Sequence, residues 1–123
     1  MIRRMGSPLN IPQLTVACSQ QDGVHVVALR GELDLRAVGE LQAALAQGDE
    51  DGRICLDLTE LEFIDSSGLA TVIRAHQAMA AVGGALAVAC RDQGSVRRTF
   101  ETTGLTTLLT VNENRAQALQ ALG

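Results

Sequence analysis

Leu56-Asp57-Leu58-Thr59-Glu60-Leu61-Glu62-Phe63-Ile64-Asp65-Ser66-Ser67-Gly68-Leu69 is the stretch whose reading decides the fold. It is entered through Ile54-Cys55-Leu56-Asp57-Leu58, a short apolar run of the kind found in strands buried on both faces of a parallel sheet. Thr59 to Asp65 reads as a connector. Beyond it, Leu69, Val72, Ile73, His76 and Met79 recur at helical spacing, which predicts a helix from about Ser67 to Val82, stopped by Gly83-Gly84. Two hydroxyls, Ser66 and Ser67, therefore stand at a helix start after a buried strand. Asp65, Ser66 or Ser67 could simply cap the free N–H groups of the first turn, since Ser and Asp are preferred there. The alternative is a hydroxyl displayed at the C-terminal end of a parallel sheet, where α/β folds place their sites. A helix N-terminus would also favour a phosphate added there.

Working outward, Leu14–Ser19 and Val24–Arg30 read as strands joined through Gln20-Gln21-Asp22-Gly23, a hairpin signal. Gly31-Glu32-Leu33-Asp34 then breaks the second strand. Val38, Leu41, Ala44 and Leu45 mark a helix that ends in the acidic loop Gly48-Asp49-Glu50-Asp51-Gly52. Downstream, Ala85–Cys90 is another short apolar strand, and Ser95 looks like the N-cap of a helix ending at Gly104. With Gly104 left-handed, Leu105 should fold back onto Phe100. Leu108–Val111 reads as a last strand, and Asn112 or Asn114 opens a final helix with Ala118, Leu119 and Leu122 inward. Strands alternating with helices imply a mostly parallel sheet with right-handed crossovers. Residues 1–10 read as a loose tail and residues 11–123 as one domain.

Composition narrows the function. Of 123 residues 46% are hydrophobic but only 2% aromatic, so the core is aliphatic. The net charge is −4 without a basic stretch, which argues against nucleic-acid binding. All 10 basic residues are Arg, so no Schiff-base or P-loop lysine is available. Arg3 and Arg4 precede no apolar stretch of the signal-peptide kind, no segment approaches a membrane span, and the expected location is the cytoplasm. Cys18, Cys55 and Cys90 lie among apolar neighbours without a CxxC spacing. They read as buried thiols, with a Cys55–Cys90 redox pair as the sharper alternative. No His/Cys cluster has metal-ligand spacing, and no cofactor is expected. Hydrolysis would need a base for Ser66, and only His25 and His76 exist; His25 lies among valines and His76 on an apolar helix face, so both read as structural. Ile-Asp-Ser-Ser-Gly is also not the G-x-S-x-G of a nucleophile elbow. An enzyme is not expected.

Phe63-Ile64-Asp65-Ser66-Ser67-Gly68-Leu69 resembles the phosphorylation-loop motif of STAS domains of the anti-sigma factor antagonist family. Leu29-Arg30-Gly31-Glu32-Leu33-Asp34 resembles the family's G-E-L-D segment, and the similarity spans about Leu14 to Leu122. The resemblance implies a single α/β STAS domain: a mixed, mostly parallel sheet of four to five strands flanked by about four helices. It implies a partner-switching role. The unphosphorylated antagonist binds an anti-sigma factor that is itself a serine kinase, sigma is released, phosphorylation inactivates the antagonist, and a cognate phosphatase restores it. By position Ser66 is the phosphoacceptor, Asp34 lies beside it, Asp65 and Ser67 shape the loop, and Gly68 permits close partner approach. The competing expectation is a STAS scaffold or ligand-sensing module outside sigma control.

Overall fold

The computed structural model describes residues 13–48 and 52–123. The expected tail at residues 1–10 and the acidic centre of the 48–52 loop lie outside the described residues. The elements are β1 (Leu14–Gln21), β2 (Val24–Leu33), a 3-10 turn (Leu35–Ala37), α1 (Val38–Ala46), β3 (Arg53–Ile64), α2 (Ser66–Ala81), β4 (Ala85–Ala89), α3 (Ser95–Thr102), a second 3-10 turn (Leu105–Thr107), β5 (Thr110–Asn112) and α4 (Arg115–Leu122). The sheet order is β1-β2-β3-β4-β5. β1 runs antiparallel to β2, and the remaining neighbours are parallel. The expected α/β class, five-stranded mixed sheet and four helices are all present.

The first hairpin is tighter than the sequence suggested. Gln21 pairs with Val24, so the loop is only Asp22-Gly23, with φ of 54° and 76°. Two successive left-handed residues make the primed turn whose twist matches the strands. Two strands are also longer than expected. β2 runs through Gly31-Glu32 to Leu33, and β3 absorbs the supposed connector, Thr59 to Ile64. Register shifts between Ala28 and Arg30 and between Gly31 and Glu32 let β3 carry extra residues against β2. Such bulges bend and twist a strand without ending its pairing, so no local sequence pattern marks the segment as strand.

Strand alternation gives the sheet two different faces. Val27, Leu29, Leu33, Ile54, Leu56, Leu58, Leu86 and Val88 point to one side, where α1, α2 and α3 bury them with Leu41, Val72 and Phe100. Val24, Val26, Cys55, Ala87 and Ala89 point to the other, where Ala118 of α4 covers them. The small residues on this second face let α4 lie close. His25 is buried and its Nε2 lies 2.9 Å from the Ala44 carbonyl, so the ring ties β2 to α1. Gly104 is left-handed at φ 77°, and Phe100 and Leu105 share one core cluster, as expected of that helix stop. The cap of α3 differs from expectation: Gly94 holds the N-cap position, and Ser95 Oγ instead donates to the Glu62 carbonyl at 2.8 Å, tying α3 to β3. Among the described residues no helix is long and apolar enough to cross a membrane.

α4 is pinned at both ends by side chains from β3. Arg115 Nε donates to Asp57 Oδ2 at 2.8 Å, and Arg53 Nη1 donates to the Leu122 carbonyl at 3.3 Å. Asp57 is only 6% exposed. Burial alone would raise its pKa. Donation from the Thr59 hydroxyl (2.7 Å), the Thr59 amide (2.9 Å) and Arg115 outweighs that, and its carboxyl sits below the ordinary aspartate value. A depressed folded-state pKa contributes stability in full above the unfolded value, about 3.9, and loses it as pH falls through the folded value. Asp57→Asn should therefore destabilise the fold by about 1–3 kcal/mol at neutral pH. The gap to the native chain should close as pH drops below about 4. Urea denaturation across that range measures it, and a pH-independent gap would contradict the account.

Cys55 and Cys90 are buried, as expected, but they belong to opposite faces of the sheet. A bridge between them would have to cross the sheet, so the redox pair is excluded by geometry. Burial, with a smaller push from Asp57 against the pull of Arg115, raises the Cys55 thiol to about 11, far from a reactive thiolate. Cys18 departs from the expectation of burial: it lies exposed on the edge strand β1. Native-state alkylation followed by intact-mass measurement should label Cys18 alone. Rapid labelling of Cys55 or Cys90 would contradict this packing.

Candidate functional site

The site forms where β2 and β3 end side by side. Leu33 pairs with Ile64, and the amide of Asp65 donates to the Leu33 carbonyl at 3.1 Å. One residue beyond each end stand Asp34 and Asp65, and α2 begins at the next residue, Ser66. Asp65 adopts an extended conformation and its side chain accepts from the Gly68 amide at 3.0 Å, so it is the N-cap of α2. Of the three capping candidates the structure selects Asp65. That leaves Ser66 and Ser67 in the first helical turn with hydroxyls not spent on the cap.

Ser66 is solvent-exposed and its hydroxyl makes no hydrogen bond to a described residue, whereas Ser67 is half-buried and its carbonyl accepts from the Thr71 hydroxyl at 3.0 Å. Gly68 is buried. A Cβ placed on it would come within 2.8 Å of Leu33 Cγ and of Ile64 Cγ1. The resemblance implied that this glycine admits a partner. In the structure it instead lets α2 rest directly on the Leu33–Ile64 pair, so the serine is held on a rigid seat.

Asp34 caps the 3-10 turn by accepting from the Arg36 amide at 3.0 Å, and it also takes a hydrogen bond from the Gln13 side chain. Its carboxyl is held below the ordinary aspartate value, first by the Gln13 bond and then, against a small burial effect, by Arg36. Gly31, at φ 104°, makes this arrangement possible. A Cβ there would lie 2.3 Å from the Gln13 carbonyl, which accepts from the Glu32 amide at 2.9 Å. The Gly and the Asp of the G-E-L-D segment thus both serve to hold Gln13, a residue that sequence reasoning missed because its contacts are with residues far along the chain.

Two large apolar side chains stay in solvent next to these residues: Leu35 is 73% exposed and Phe63 45%. Phe63 pairs with Glu32 in the ladder, and Leu35 follows Asp34, so both belong to the end of the β2–β3 pair that leads into α2. The structure therefore brings Asp34, Asp65, Ser66, Ser67 and Gly68 to one end of the sheet. It does not bring a histidine there. His76 lies ten residues along α2 from Ser66, about 15 Å by helical rise. His25 lies eight residues down β2 from Leu33, about 26 Å by strand rise.

This seat gives opposite signs to two substitutions. Asp65→Ala removes the cap and should cost about 0.5–2 kcal/mol. Gly68→Ala would ordinarily stabilise a helix interior by up to about 1 kcal/mol; here the collision with Leu33 and Ile64 should make it destabilising, by about 1–3 kcal/mol. Equilibrium unfolding of both variants measures these values, and a stabilised Gly68→Ala would show that the close packing is absent.

The geometry agrees with what the chain is similar to. The STAS domain family matches residues 15–118. The anti-sigma F factor antagonist of Paenibacillus polymyxa is 30% identical over 112 residues, covering 89% of this chain and 95% of its own. A crystal structure of an anti-sigma factor antagonist from Mycobacterium paratuberculosis superposes with a TM-score of 0.81 at 26% identity, covering 89% of this chain and 93% of that one. The Bacillus cell fate determinant SpoIIAA in its phosphorylated form shares the fold, with a TM-score of 0.63 at 23% identity over 89% of this chain and all of its own. A match over most of the chain, with relatives of nearly the same length, places it: this chain belongs to the STAS-domain family and is a relative of anti-sigma factor antagonists.

Proposed function

We propose that this chain is an anti-sigma factor antagonist. Unphosphorylated, it binds a serine-kinase anti-sigma factor and so frees a sigma factor; phosphorylation on Ser66 by that kinase inactivates it, and a phosphatase reverses the mark. The observation that carries the reading is the exposed Ser66 hydroxyl on the first turn of a helix whose cap is supplied by Asp65. A kinase can reach that hydroxyl without unfolding anything. The Paenibacillus relative's name and the phosphorylated SpoIIAA structure support the same reading.

The physics of the switch is local. A phosphate adds about −1.5 to −2 charges at neutral pH. On Ser66 it would enter a neighbourhood that already holds the carboxylates of Asp65 and Asp34. The α2 N-terminus offsets part of that repulsion, by about 0.3–1 kcal/mol for an exposed charge, so the isolated domain tolerates it. A docked partner does not. Leu35 and Phe63 are exposed at the same end of the sheet, and a partner closing over Ser66 desolvates whatever its hydroxyl carries. The chain acts by binding, and the residues around Ser66 supply a surface rather than catalytic groups.

The test uses the kinase purified as the binding partner from the native cell. Ser66→Ala should bind it and resist phosphorylation. Ser66→Glu should bind at least tenfold more weakly, a loss of about 1.4 kcal/mol, while unfolding near the native temperature. Ser67→Ala should remain a substrate. Titration calorimetry and phosphosite mapping after incubation with ATP read these outcomes. Tight binding by Ser66→Glu, or a phosphate on another residue, would refute the mechanism.

A further inference from the structure

α4 is the helix that the fold holds most lightly. Of its eight residues, Arg115–Leu122, one is buried, and that one is Ala118. α2 buries five of its residues and α1 three. α3, also of eight residues, buries Val96 and the whole ring of Phe100. The cluster that α4 closes is separate as well. Val24, Val26, Cys55, Ala87, Ala89 and Ala118 share no member with the main core, because the sheet lies between the two. Segments with few buried apolar contacts are the ones that open locally while the rest of a domain stays folded.

The polar anchors of α4 can part without stranding a buried charge. Arg115 holds one end to Asp57, and the Arg53 bond to the Leu122 carbonyl holds the other. When Arg115 lets go, its guanidinium passes into water. Asp57 keeps both Thr59 donors, the hydroxyl and the amide, which lie two residues along the same strand. The heavy penalty for orphaning a buried ion therefore does not lock the helix down. Lifted from the sheet, eight residues are too few to stay helical in water, so α4 melts as it leaves.

Beneath it is a thiol that can be reached from that side alone. Cys55 lies on the central strand and is fully buried. Val26 of β2 is its partner on one flank and Ala87 of β4 on the other. The opposite face of the strand is sealed by the main core. We infer that α4 is a latch: it releases from the sheet as a unit while the five strands and the other three helices stay folded, and so gates the access of thiol-directed electrophiles to Cys55. With the latch seated, burial pushes the thiol up to about 11 and keeps it inert; once solvated it returns to the ordinary thiol range. An adduct on the sulfur would occupy the space that the helix needs and hold the latch open. The inference stands independently of the sigma-factor reading.

Two neighbouring probes on one strand test it in the full chain. Slow labelling of Cys55 by iodoacetamide, in a Cys18→Ser background, reports uncovering of the sheet face. Exchange of the Leu56 amide, held between β2 and β4, reports loss of the sheet itself. Each rate, divided by that of the same group in an unstructured peptide, gives an opening equilibrium. Cys55 should open at least about tenfold more often than the Leu56 amide, and with a weaker response to urea, because less surface is exposed. The Leu119 and Gln120 amides of α4 should open together with Cys55. Ile54→Val trims the main core on the opposite face of the same strand. It should raise the Leu56 opening about fivefold and leave that of Cys55 unchanged, since the open latch still keeps that core. Cys55 opening no more often than Leu56, equal acceleration of both by Ile54→Val, or α4 amides that stay protected while Cys55 is labelled would overturn the proposal.

Discussion

The arrangement at the working end depends on the parallel pairing of β2 with β3, carried past Asp57 by two register shifts and closed by the Asp65 amide on the Leu33 carbonyl. Without those shifts β3 would part from β2 near Thr59, and the helix start would hang on a loop. With them, the last paired residues, Leu33 and Ile64, form an apolar platform. Gly68 is the only residue type that lets α2 sit on it at this distance. Asp65 then caps the helix, and Ser66 is the first residue free of structural duty. Its exposure follows from its neighbours having taken every anchoring role.

The same end shows why a small domain can separate folding from signalling. The core needs Leu33, Ile64 and Gly68 buried, and each is. It has no need of Leu35 or Phe63, which remain in water. Charge is treated likewise. Asp57, deep in the sheet, is matched by Thr59 and Arg115 and serves to hold α4. Asp34 is matched by the Arg36 amide and guanidinium and by Gln13, and Asp65 by the Gly68 amide, so both carboxylates are held at the end of the sheet that carries Ser66. On the proposed function, a modification there would change what can dock rather than what can fold.

Much of this was legible from local pattern. Gln20-Gln21-Asp22-Gly23 announced the hairpin, Ile54–Leu58 a buried strand, Leu69 to Met79 the face of α2, and Asn112 or Asn114 the start of α4, because turn chemistry and hydrophobic period are properties of a few adjacent residues. The candidate site was legible as a motif, with its serine at a helix start. What failed were the places where local signals compete with distant partners. Thr59–Ile64 looks like a loop because its polar residues face water around bulges, yet β2 holds it as strand. Ser95 looks like a cap, yet its hydroxyl is drawn to Glu62. Cys18 looks buried among apolar neighbours, yet β1 is an edge.

By itself, then, the sequence determined the succession of elements, the parallel class of the sheet, the aliphatic core and the short segment that carries the serine. Each of these is written in periodicity or in residues whose backbone preferences act within a turn or two. Only the tertiary structure decided which of three neighbouring side chains caps α2, what Gly31 and Gly68 make room for, and that Asp57 holds Arg115, 58 positions further along the chain. Those outcomes depend on which residues the chain brings together from far apart. That is set by how two sheet faces and four helices pack at once, a condition that no window of sequence contains.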